Sequence, residues 1–182
     1  SFLSDYTEKN SNLIPKIDIP CFAWNSQAEQ GLLFFKAKSL DTNDFYDLMN
    51  SQNPEDIGSV ILFFDFESGK VFKPFAKKRN VFYSNPVYAE GFYYFLQGDY
   101  DEKKISLYRY IPGKLLEKET ELSTEEVSLY NLCIIGNPVH IISQEDTFVC
   151  YYPEKISFPI TGHESALFIE DEKIYFRSED VV

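Results

Sequence analysis

The chain has 182 residues, a length that suits one domain or one compact repeat array. Hydrophobic residues make up 44% and charged residues 25%, which excludes a disordered chain. Acidic residues number 29 against 17 basic ones, a net charge of −12 that argues against DNA or RNA as a partner and favours a basic protein as one.

Aromatic residues reach 17%, almost all of them Phe and Tyr, which favour pleated, half-buried surfaces. The expected class is therefore all-β. No apolar run is long enough for a membrane-spanning helix. The first residue is Ser1 and no signal peptide is visible, which fits a cytoplasmic protein or one whose leader was trimmed.

From the N-terminus, "NLIPKIDIP" (12–20) offers one outer strand to another unit. "CFAWN" from Cys21 and "GLLFFKAK" from Gly31 read as a strand pair. Next comes a polar insertion at 39–58. Asp41 or Thr42 can cap a short helix near 41–50, with Phe45, Leu48 and Met49 on one apolar face and Asn53-Pro54 as its end. An apolar face needs burial first, so this helix reads as a lid on the core. Its second reading is a partner-binding element through Phe45, Tyr46 and Met49.

"SVILFFDFESGKVFKPF" from Ser59 and "KISLYRYIPGKLLEKET" from Lys104 align on Gly69-Lys70 and Gly113-Lys114. Each is a strand, a glycine turn and a returning strand. Phe64 and Phe66 then match Tyr108 and Tyr110, while Asp65 matches Arg109. Alternation puts the two tyrosines on one face to pack, and Arg109 on the other to meet water or a partner. "NPVYAE" from Asn85 and "GFYYFLQG" from Gly91 precede the second hairpin as the 21–38 pair precedes the first. Between them, Lys77-Lys78-Arg79 is a solvated turn, and "GDYDEKK" (98–104) is a hairpin tip with too few oxygen ligands for calcium.

Ser123 and Glu126 have capping-box spacing in "STEEVSLY", which suits one helical turn or a plain link. A third run, Leu132–Ile160, reads as four strands, and "ALFIEDEKIYFRSED" from Ala166 as an opening hairpin. The units are thus about 20–75, 85–122, 130–160 and a partial one at 165–182, within a single domain. This pattern of up-and-down four-stranded units resembles β-propeller repeats, and implies about three and a half to four blades. An open β-sheet or a β-sandwich is the alternative.

Chemistry is sparse. His140 reads as a strand residue and His163 as a turn residue, too far apart for a metal site. Cys21, Cys133 and Cys150 lack C-x-x-C spacing and sit among apolar residues. Cys133 and Cys150 could share neighbouring strands, and Cys133 could meet His140 across a hairpin. No phosphate loop or nucleophile elbow occurs, so no catalytic residue and no cofactor is assigned. The expected function is a non-enzymatic all-β protein that binds another macromolecule. The alternative is a glycan-binding or carbohydrate-active protein whose acidic and aromatic residues converge in space.

Overall fold

A computed structural model describes residues 58–65, 68–135, 137–161, 164–170 and 173–178, with the strand backbone at 26–27 and 32–37. The expected helix near 41–50, the 12–20 segment, Cys21 and His163 lie outside the described residues. Among the described residues there are strands and turns and no helix. Every strand pair is antiparallel.

The first sheet runs β1 (Ser26–Gln27), β2 (Leu32–Ala37), β3 (Val60–Asp65), β4 (Val71–Phe72) in spatial order. Its β3–β4 turn is built on Asp65. Gly69 N–H donates to the Asp65 carbonyl (2.8 Å), and Ser68 Oγ donates to the Asp65 carboxylate (2.7 Å). Gly69 supplies the positive φ that the turn needs (68°).

The second sheet comprises β5 (Val81–Tyr83), β6 (Val87–Ala89), β7 (Phe92–Asp99), β8 (Lys104–Ile111) and β9 (Leu115–Ser123). It opens upstream of the strand expected from Asn85. Both β5 and β6 pair with β7, so they form one edge interrupted at Ser84–Pro86. Pro86 has no N–H for the ladder, and Ser84 repairs the break. Its N–H donates to the Leu96 carbonyl and its hydroxyl accepts from the Leu96 N–H, both at 2.9 Å. The β6–β7 turn has positive φ at Glu90 (52°) and Gly91 (87°), as a two-residue hairpin loop requires. The β8–β9 turn is Ile111-Pro112-Gly113-Lys114, with Lys114 N–H donating to Ile111 (3.0 Å) and Gly113 at φ 73°. Pro fixes the first corner and Gly the second, the type II signature.

Val127, Leu129 and Leu132 cross to the third sheet through turns. Glu126 N–H bonds to Ser123 O and Glu125 N–H to Ser123 Oγ, so the Ser123 spacing makes a turn instead of a helical one. The third sheet is β10 (Cys133–Ile135), β11 (His140–Gln144), β12 (Thr147–Tyr152) and β13 (Ile156–Pro159). A fourth, two-stranded sheet follows: β14 (Glu164–Glu170) and β15 (Lys173–Ser178).

The sheets stack face to face in chain order, and the core lies between them. Ile61 and Phe63 of the first sheet meet Val81, Tyr83, Tyr93, Phe95 and Tyr110 of the second. The other face of the second sheet, with Leu96, Ile105 and Leu107, meets Ile134 and Ile141 of the third. The opposite face of the third, with Ile142, Phe148 and Cys150, meets Ala166, Ile174 and Phe176 of the fourth. Alternation along β8 is the local cause: Ile105 and Leu107 point one way, Tyr108 and Tyr110 the other. Burying one such side chain contributes roughly 1.5–3 kcal/mol.

Candidate functional site

Of the residues singled out from the sequence, Phe45, Tyr46 and Met49 fall outside the described residues. Arg109 is half-buried on β8, on the face opposite Tyr108 and Tyr110. Its guanidinium bonds to Glu117 (Nε to Oε2, 2.8 Å) and pairs with Glu119 (Nε to Oε1, 2.6 Å) across on β9. It also lies over the Phe92 ring, 5.0 Å from the centroid. The hydrogen bond to Glu117 is the main cause that holds its charge more firmly than usual.

The same strand pair carries Lys104–Glu121 (3.0 Å) and Lys118–Glu121 (2.5 Å). These charges line β9, beyond which no further strand of the second sheet occurs among the described residues. Hydrogen bonds from Lys118 and then Lys104 pull the Glu121 carboxyl down to about 2. A depressed carboxyl stabilises the fold above its unfolded pKa and loses that contribution as pH falls. The loss is therefore expected between pH 4.5 and about 2. An NMR carboxyl titration should show the Glu121 midpoint rising toward 4.5 in Lys118→Ala, and an unmoved midpoint would refute the assignment.

The thiols are placed against reactivity. Cys133 sits on β10 and Cys150 on β12, and β11 separates them, with Ile142 paired to both. The two are thus not on neighbouring strands, one arrangement the sequence allows, and two strand spacings, roughly 9.5 Å, exceed disulfide reach. Burial pushes the Cys133 thiol up to about 11 and raises that of Cys150. Cys150 Sγ donates to the Tyr152 carbonyl (3.1 Å), and His140 Nδ1 contacts the Pro138 carbonyl (2.7 Å). Neither cysteine has a histidine partner among these contacts. Site-resolved alkylation at pH 7 should label the partly buried Cys133 and the buried Cys150 far more slowly in the native chain than after denaturation. Labelling of Cys133 as fast in the native chain as in the denatured one would contradict this protection.

The 98–104 tip is a closed turn. Lys78 Nζ bonds to Asp99 (2.6 Å), Asn80 Nδ2 bonds to Asp101 (2.7 Å), and Glu102 N–H bonds back to Asp99 (3.1 Å). Among the described residues, no three His, Cys, Asp or Glu side chains are grouped to hold a metal ion. A depression of about 160 Å³ is lined by Ser128, Ser143, Glu145, Asp146, Thr147 and Val149. It is smaller than the roughly 300 Å³ at which small-molecule sites begin. Its polar groups answer one another: Tyr151 Oη accepts from Ser128 N–H (2.9 Å) and lies 3.0 Å from Ser143 Oγ.

The fourth sheet differs from the others. Its inner face packs on the third sheet, but its outer face exposes Leu167 (51%), Phe168 (43%) and Tyr175 (40%). Phe168 and Tyr175 are register partners, stacked at 4.5 Å between centroids with 19° between planes. The ladder shifts register between Ala166 and Phe168, at Leu167. The sequence carried a signal for this surface. In "ALFIEDEKIYFR" apolar residues occupy both faces of the strands, more than one packed neighbour can cover. No helix among the described residues is long and apolar enough to cross a membrane. Comparison with known proteins finds no family model, no curated protein and no solved structure that matches this chain.

Proposed function

We propose that this chain is a propeller-like, non-enzymatic scaffold that binds another macromolecule. The observation that carries the reading is the outer face of β14–β15. Leu167 and the Phe168–Tyr175 stack lie side by side in water on an ordered sheet. Grouped exposed aromatics on a rigid surface are what protein interfaces use as anchors. The charge of −12 favours capture of a basic protein from a distance. Sheets stacked in chain order support the propeller-like arrangement. Thiol chemistry has little support, since desolvation raises the pKa of both described thiols.

The test is capture from native-host extract with the full chain and with the pair Phe168→Ser and Tyr175→Ser. A protein retained by the wild type and lost by the double variant, with its circular dichroism unchanged, supports the reading. Saturable hits on a glycan array with no captured protein would replace it with the carbohydrate alternative.

A further inference from the structure

Among the described residues the third sheet has four strands and the fourth has two, so there the third extends past the fourth. Phe176 of β15 rests on Phe148 of β12 and Phe158 of β13, with centroids at 5.9 and 6.0 Å. Beyond β15, no further strand of that sheet occurs among the described residues. Register places Ile156 on the same face as Phe158, because Cys150 pairs with Ile156 and Phe148 with Phe158. That face is the one turned toward the fourth sheet. Ile156 is nonetheless 48% exposed. Among the described residues, this step leaves the apolar Ile156 beside the main-chain edge of β15.

We propose that this step forms a groove that accepts an extended peptide segment as an added strand beside β15. The inference rests on the interaction reading above and gives it a second surface that adjoins the outer face of β14–β15. Main-chain N–H and C=O groups along β15 supply the pairing. Alternation decides the ligand's side chains. One row faces the floor and continues the existing contact between the third and fourth sheets, so it must be apolar. The other row lies beside Lys173 and Tyr175, which stand on the outer face. An acidic residue there meets the Lys173 ammonium as a cross-strand pair. The ligand is thus an extended segment alternating apolar and acidic residues. A short acidic row beside Lys173 does not conflict with a partner that is basic overall, because net charge steers encounter and this contact acts within a few ångströms.

The test uses the full chain and two labelled hexapeptides, alternating Glu-Val and alternating Lys-Val, followed by fluorescence anisotropy. The Glu-Val peptide is expected to bind with one-to-one saturation, more tightly than the Lys-Val peptide. Ile156→Lys should weaken it about tenfold by charging the floor. Lys173→Glu should weaken it about fivefold and improve Lys-Val binding. Both positions are exposed, so the fold tolerates the changes. The proposal is overturned if neither peptide binds, or if both variants leave the affinity unchanged. It is also overturned if Ile156→Lys abolishes a dimer seen by sedimentation without peptide, because a second copy then fills the groove. Binding that appears only after Ile17→Asp and Ile19→Asp overturns it too, by assigning the groove to the chain's own 12–20 segment. Ile156→Lys lies on the third sheet, away from Phe168 and Tyr175, so peptide binding lost in that variant while protein capture persists separates the groove from the outer face.

Discussion

Phe95→Ala is expected to lower stability by about 3–5 kcal/mol, and the melting temperature by about 10 °C. Phe95 is fully buried at the centre of β7, opposite Tyr108 on β8. Its ring stacks on Tyr108 (5.9 Å) and meets Tyr83 and Phe75 edge-on at 6.1 and 6.2 Å. It also contacts Phe63 of the first sheet at 6.2 Å. Removing it opens a cavity among rings from two sheets, and rings held by backbone ladders cannot collapse into it. Calorimetry of Phe95→Ala beside Phe168→Ala checks the claim. The exposed Phe168 should cost under about 1 kcal/mol when truncated. Equal losses would mean that the space between the first two sheets is not where stability resides.

Gly58→Ala should cost about 3 kcal/mol, far more than Gly91→Ala. Both glycines hold left-handed backbone, at φ 79° and 87°, where any Cβ is strained by about 1 kcal/mol. At Gly91 that is the whole cost, because nothing lies within 4 Å of an added Cβ. At Gly58 the Cβ would collide with the Lys78 carbonyl and come within 2.7 Å of the Val81 carbonyl. Those atoms are backbone and cannot swing aside. Val81 O already accepts the Ser59 N–H (2.9 Å), which joins the first sheet to the second. Urea denaturation of the two variants separates the shared strain from the collision. A Gly58→Ala loss no larger than that of Gly91→Ala would show that the segment yields.

Much of this fold was legible because turns announce themselves. Pro112-Gly113 and Glu90-Gly91 fix where strands reverse, and period-two alternation then fixes the faces. Tyr108 and Tyr110 fell on one face and Arg109 on the other because β8 keeps its alternation through those three residues. Register irregularities were not legible. The shift between Leu107 and Tyr108 against β9 needs both strands to define it. The β5 strand was missed because it is only Val81–Tyr83, and its pairing depends on Ser84 standing in for a ladder group. Arg109 was read as a residue for water or a partner. Its acceptors, Glu117 and Glu119, became visible only when β9 was laid beside β8. The exposed Phe168–Tyr175 pair was hidden for a different reason. Composition marks aromatics as core, and the apolar residues on both faces of "ALFIEDEKIYFR" signal a surplus without telling which face stays exposed.

Stacking in chain order has a consequence for how the molecule comes into being. Each sheet pairs strands close in sequence, and each apolar layer joins sheets that are consecutive along the chain. Loop-closure entropy is therefore met in small instalments, and assembly can advance sheet by sheet as the polypeptide leaves the ribosome. Opening follows the reverse hierarchy. The fourth sheet, packed on the third by one face, is expected to exchange its amide protons before the second, which is clamped on both.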